Sequence, residues 1–248
     1  MLGIVIQARS GSTRLPNKMN LKFYEDFTIL DILIFKLKTT FPNTTIVLAT
    51  TENKLDDTLV KKVQSHNIKV FRGSESNVLD RFVNACKFYK LQKVIRVCAD
   101  NPFLDMSALR EIKEAFYTSN ADYMSYQTKD GTPSIKTHYG FWAEAVKLSA
   151  LEKVQELTNN MYYLEHVTNY IYSHPNMFNT EFFQIPEYLH DTDIRLTIDT
   201  KADFEIAKEL YQELLVEKKF SIKKIYNKIL ERKDWLDIMS IEIKKQKK

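Results

Sequence analysis

The chain has 248 residues, 44% hydrophobic and 27% charged, and its net charge of +4 is matched by the four lysines of the terminal "IEIKKQKK" alone. Such a length suits one substantial core. A near-neutral body argues against nucleic-acid binding by a broad basic face, and no run approaches the roughly 20 uninterrupted apolar residues of a membrane helix. With no basic leader before the first apolar run, the expectation is a cytoplasmic protein with neither membrane nor nucleic acid among its partners.

In chain order, short apolar runs alternate with amphipathic stretches. Leu2 to Ala8 predicts a buried strand, Ile29 to Thr40 a helix, Thr45 to Thr50 a strand and Leu55 to His66 a helix. Lys69 to Phe71 then reads as a short strand, Ser76 to Lys90 as a helix and Lys93 to Ala99 as another buried strand. Met106 to Tyr117 is a helix with Asp105 or Ser107 as its cap, and Ala121 to Tyr126 a further strand. Cys86 and Cys98 fall inside these runs without metal or redox spacing, and read as buried free thiols.

The alternation requires right-handed βαβ crossovers, so the predicted fold is a Rossmann-like, doubly wound, mainly parallel α/β sheet with helices on both faces. Ligands in such sheets bind beyond the carboxyl ends of the strands. That singles out the loops after Ala8, Thr50, Phe71 and Ala99.

After Tyr126 the pattern breaks into the turn-rich "QTKDGTPSIKTHYG". An apolar segment at Phe141 to Val146, helical patterns at Ser149 to Thr158 and Met161 to Ser173, and a strand at Thr180 to Ile185 follow. This α+β insertion, about residues 138–187, carries Phe141, Trp142, Tyr162, Tyr163, Tyr170 and Tyr172, suiting a lid or a subunit contact within a single domain. "DIRLTID", Asp193 to Asp199, is expected as a last strand, before helices at Lys201 to Lys218 and Ser221 to Met239 and the lysine tail.

The chemistry concentrates in "IVIQARSGSTRLPNKM". Its loop gathers Arg9, Arg14 and Lys18 with Ser10, Ser12, Thr13 and Gly11, the cations, hydroxyls and backbone N–H groups that wrap a polyanion such as a triphosphate. A Walker A loop is absent, because Asn17 and Met19 flank Lys18. Pro16 stiffens the turn and Asn17 tolerates a left-handed conformation. Asp100 and Asp199 each end a predicted strand; Asp199 can be spared capping duty because Thr200 caps equally well. Two carboxylates near that loop repel unless a hard cation lies between them, and Mg²⁺ takes one or two carboxylates plus phosphate oxygens. The implied reaction is nucleotidyl transfer.

These segments resemble the cytidylyltransferases of the CMP-Kdo and CMP-sialate synthetase type, nearest to the spore-coat polysaccharide SpsF group. "QARSGSTRLPNK", "GSESNVLDRFVNA", "RVCADNPFLD", "EHVTNYIYSHP" and "DIRLTIDTKADFE" match that group's blocks in order, from Leu2 to about Leu210. The resemblance implies CTP and a sugar or sugar-acid acceptor as substrates. It makes Ala8, Arg9, Gly11, Ser12, Arg14, Lys18 and Arg81 nucleotide contacts, with Arg14, Lys18 and Asp100 catalytic. Asp100 and Asp199 would hold Mg²⁺, Glu165 and His166 would face the sugar, and the insertion would form a homodimer. Arg81 is equally readable as an ion pair with Asp80, and His166 as a partner contact. Gln7 departs from the I-P-A-R start of the Kdo and sialate enzymes, which leaves the acceptor open. A sugar-1-phosphate nucleotidylyltransferase using another nucleotide and a non-catalytic nucleotide-binding subunit are the alternatives.

Overall fold

The computed structural model describes residues 1–216 and 220–246. Seven strands form one sheet in the order β3-β2-β1-β4-β6-β5-β7. β1 (Leu2–Gln7), β2 (Thr45–Thr51), β3 (Lys69–Gly73) and β4 (Lys93–Cys98) are mutually parallel. β5 (Tyr123–Gln127) and β7 (Thr180–Gln184) pair in parallel, and β6 (Glu144–Lys147) lies antiparallel between β4 and β5. The 138–187 region is α+β as expected, and both of its strands join the main sheet.

Alternation along β1 shows why both faces need cover. Ile4 and Ile6 pack into one apolar cluster and Val5 into the other, all fully buried. The first face is covered by α1 (Ile29–Thr40), α2 (Asp57–Ser65), α4 (Met106–Thr118), α8 (Lys201–Val216), α9 (Ile222–Leu230) and α10 (Lys233–Gln246). The second is covered by α3 (Val78–Phe88), α5 (Leu148–Leu157), the short α6 (Met161–Glu165) and α7 (Asn169–Ser173). The caps are those the residue types favour: Thr28 and Asp31 form a reciprocal box on α1, and Asp105 accepts from Ser107 N and Ala108 N on α4.

Three expectations need correction. Asp193 to Asp199 forms no strand: Leu196 N and Thr197 N both donate to His138 O and Ile198 N donates to Asp100 O, bonds to two different segments that cannot make a ladder. The Ser221 to Met239 pattern divides into α9 and α10 at Glu231 and Arg232, where Arg232 N closes a tight turn on Ile229 O. Met161 to Ser173 divides into α6 and α7 at His166 to Thr168, because Asn169 N bonds to His166 O. The predicted helix end at 217–218 and the last two lysines lie outside the described residues. No described helix is long and apolar enough to cross a membrane.

Candidate active site

Strand order reverses between β1 and β4, so the loops leaving their carboxyl ends diverge around a crevice. That crevice is a cleft of about 210 Å³. Ala8, Arg9, Gly11, Ser12, Arg14 and Lys18 line it from the β1 loop, and Asp100 and Asp199 from across it. Asn17 supplies the left-handed turn, at φ 57°, that swings Lys18 back beneath the loop.

Lys18 is almost wholly buried, and two of its three N–H donors are engaged. It donates to Ile198 O at 2.6 Å and to Asp100 Oδ2 at 2.9 Å, and lies 3.8 Å from Asp199 Oδ1. Arg14 Nη2 donates to Asp199 Oδ1 at 2.8 Å from the solvent side. From below, Arg195 Nη2 donates to Asp199 Oδ2 at 3.1 Å and reaches Asp203 through both Nε and Nη2. Burial opposes the Arg195 charge, but the Asp203 and Asp199 carboxylates more than offset it and raise the guanidinium's pKa. Thr200 caps α8, its Oγ1 accepting from Asp203 N while Asp203 Oδ2 accepts from Thr200 N. Asp199 is therefore spared the cap and faces the cleft.

The β1 loop is held at its root by a residue the sequence did not single out. The fully buried Asp56 accepts from Ser10 N at 2.6 Å, Thr50 Oγ1 at 2.8 Å, Thr51 N at 3.1 Å and Thr51 Oγ1 at 2.5 Å. Burial disfavours its charge, yet these four donors hold the carboxyl below its ordinary value. Nothing in "TENKLDD" separates this aspartate from an ordinary acidic residue at a helix start. Opposite, Lys36 donates to Leu104 O at 2.7 Å and steadies the turn after Asp100, burial pushing its amine down to about 8. Gly140, at φ +69°, packs against the turn after Asp100; a Cβ there would stand 3.2 Å from Asn101 Oδ1 and 3.3 Å from the Leu196 backbone.

Arg81, Glu165 and His166 are not among the residues lining this cleft. Arg81 is buried on α3, donates through Nη1 to Ser74 O at 2.7 Å, and has an unpartnered Nε. Burial and the neighbouring Arg9 push its guanidinium down to about 10. The Asp80 ion pair is not made: Asp80 instead accepts from Asn84 Nδ2 and Gln155 Nε2. Glu165 is exposed, and the His166 ring meets Tyr162 edge-on, 4.8 Å between centroids, beside a separate concavity.

The cytidylyltransferase family model matches residues 3–225. An uncharacterised protein of Methanocaldococcus jannaschii, MJ1063, is 42% identical over 206 residues, which is 83% of this chain and 81% of that protein. The spore coat polysaccharide biosynthesis protein SpsF of Bacillus subtilis is 36% identical over 215 residues, 84% of this chain and 85% of SpsF. The solved structure of a cytidylyltransferase from Leptospira borgpetersenii superposes with a TM-score of 0.82 at 29% identity, covering 95% of this chain and 96% of its own. With the switch-point cleft and the motif blocks in place, these matches mean that the chain belongs to the cytidylyltransferase family.

Proposed function

We propose that the protein transfers a cytidylyl group from CTP to a sugar or sugar-acid acceptor with release of pyrophosphate, as a step in building a surface polysaccharide. The observation that carries this reading is Lys18 lying between Asp100 and Asp199 at the root of a basic, hydroxyl-rich loop. SpsF, whose name refers to spore coat polysaccharide biosynthesis, supports the polysaccharide setting.

Asp100 and Asp199 both lie within 4 Å of one ammonium, so they converge on a common point, as residues sharing a hard cation must. Among the described residues no third carboxylate, histidine or cysteine joins them, and Mg²⁺ held by two carboxylates would take its remaining oxygens from phosphate and water. Mg²⁺ held by these two carboxylates would supply polarisation of the α-phosphate. Arg9, Ser12 and the loop N–H groups grip the triphosphate, with Ala8 beside the nucleoside and Arg81 beneath the loop. The acceptor oxygen forms its bond to the α-phosphorus as the bond to the β-phosphate oxygen breaks. Pyrophosphate leaves with the electron pair, and a hydroxyl acceptor gives its proton to solvent. Lys18 and Arg14 offset the charge developing on the leaving group, and most of the acceleration comes from positioning and electrostatics.

The test is a screen of the four nucleoside triphosphates against acidic sugars and sugar phosphates with Mg²⁺, reading pyrophosphate release. CTP with one acceptor class is the expected result, and no release from any combination overturns the reading. Asp100→Ala and Asp199→Ala should each abolish turnover; indifference of turnover and CTP binding to both removes the metal assignment. The region 138–187, with Met161 and Tyr162 exposed, is proposed as a homodimer contact; a monomeric mass by light scattering at micromolar protein refutes it.

A further inference from the structure

Three cations surround Asp199, and they do not divide its two oxygens evenly. Oδ1 faces the cleft, where Arg14 Nη2 donates to it at 2.8 Å and Lys18 Nζ lies at 3.8 Å. Oδ2 is taken from the protein side, accepting from Arg195 Nη2 at 3.1 Å. The Arg14 side chain is half-exposed, so a ligand can draw it away, whereas that of Arg195 is wholly buried.

Arg195 is also the better anchored of the two. Its Nε and Nη2 donate to the two oxygens of the buried Asp203 at 2.7 and 2.9 Å, the paired geometry in which a guanidinium meets a carboxylate. Its Nη1 donates to His138 Nδ1 at 2.8 Å. Nη2 has one hydrogen for each carboxylate, so it can hold Asp203 and Asp199 at once. Asp203 Oδ2 accepts in addition from Asp199 N at 3.0 Å and Thr200 N at 2.9 Å. One carboxylate thus anchors both the backbone of Asp199 and the guanidinium that holds its side chain.

A carboxylate with both oxygens free can grip a cation with the pair, which the large, flexible shell of Ca²⁺ accepts and the tight octahedron of Mg²⁺ resists. With Oδ2 committed to Arg195, Asp199 has Oδ1 to give. We infer that Arg195, braced by Asp203, is a positioning residue that makes Asp199 a one-oxygen ligand and so sets the site's preference for Mg²⁺ over Ca²⁺. The inference rests on the proposed transfer, in which Asp100 and Asp199 share a divalent cation. Neither Arg195 nor Asp203 lines the cleft, so both act through Asp199 and not on the nucleotide.

The test uses Arg195→Met/Asp203→Asn in the full chain, which removes both buried charges together while the new amide oxygen can still accept from Asp199 N and Thr200 N. Mn²⁺ bound to the CTP-loaded protein is followed by its enhancement of water-proton relaxation and displaced with Mg²⁺ or Ca²⁺. In wild type Mg²⁺ should displace it at the lower concentration, and in the variant the ratio of the two should shift about tenfold toward Ca²⁺. Ca²⁺ should inhibit Mg²⁺-supported pyrophosphate release correspondingly more strongly, with the KM for CTP unchanged. Loosened packing weakens both cations alike and leaves the ratio where it was, so an unchanged ratio overturns the inference. Urea unfolding shows whether the double variant is folded; if it is not, Arg195→Lys, which keeps the charge and loses the fork, is read in the same way. A wild type without preference for Mg²⁺ over Ca²⁺ overturns the inference whatever the variants do. Wild-type protein that neither binds Mn²⁺ with CTP nor releases pyrophosphate with any acceptor overturns the transfer reading and this inference with it. A wild type that does both, beside variants that keep its cation ratio, overturns the inference alone.

Discussion

Arg96 with Glu144 and Arg14 with Asp199 are both ion pairs near the carboxyl ends of the central strands, yet their surroundings differ. The Arg96 and Glu144 side chains are 8% and 2% exposed, and Tyr123 and Thr168 take the remaining carboxylate capacity. The Arg14 and Asp199 side chains are 54% and 19% exposed, and Asp199 also faces Lys18 and Arg195. In the sealed pair the carboxylate is matched by donors that the protein itself supplies. In the open cluster, water or a ligand oxygen can replace any one contact, so its charges stay available to an anionic ligand.

The comparison breaks first if the sealed pair proves dispensable. Arg96→Met strands a buried carboxylate and should cost about 3–5 kcal/mol in urea unfolding, with Arg96→Met/Glu144→Leu recovering much of the loss. A single-variant loss below about 1 kcal/mol would mean the pair is not sealed in solution. Lys18→Ala should lower kcat by about 10²–10³-fold, with a smaller unfolding shift than Arg96→Met. The reverse ranking, intact turnover with a collapsed midpoint, would make Lys18 structural.

Asp56 lies between the two classes, buried like the first and attached to the loop of the second. Asp56→Asn should cost about 1–3 kcal/mol and weaken CTP binding through the slackened Ser10 anchor, measurable by calorimetry. The pH dependence follows from its depressed folded-state pKa. Above the ordinary value of 3.8 its stabilisation is complete; as pH falls below that, the unfolded chain takes up the proton first, and the contribution disappears through the folded-state pKa. Acid unfolding of wild type should therefore be steeper than that of Asp56→Asn, and parallel curves would remove Asp56 as the anchor. Smallest is Arg9→Ala: its 3.8 Å contact with Glu75 is exposed on both sides, so stability should change by no more than about 0.5 kcal/mol while CTP affinity falls. An unchanged affinity would place Arg9 outside the nucleotide site.

What local pattern could determine, it did. The β-branched run of β1, the capped start of α1, the left-handed Asn17 and the cations after Gln7 are set by periodicity and intrinsic backbone preference, which act within a few residues. Thr200 as the cap that spares Asp199 was legible for the same reason. Asp193 to Asp199 was misread as a strand because an apolar alternation says nothing about whether a neighbouring edge is free to pair; here β6 occupies the side of β4 away from β1. Asp56, 46 residues from the Ser10 it anchors, and Gln7, 89 residues from the Arg96 that orients it, meet only once the sheet order is settled. Hydrogen bonds across such separations have no periodic trace in the chain. The residues that load the cleft were therefore visible in one dimension, and those that aim it were decided by strand order.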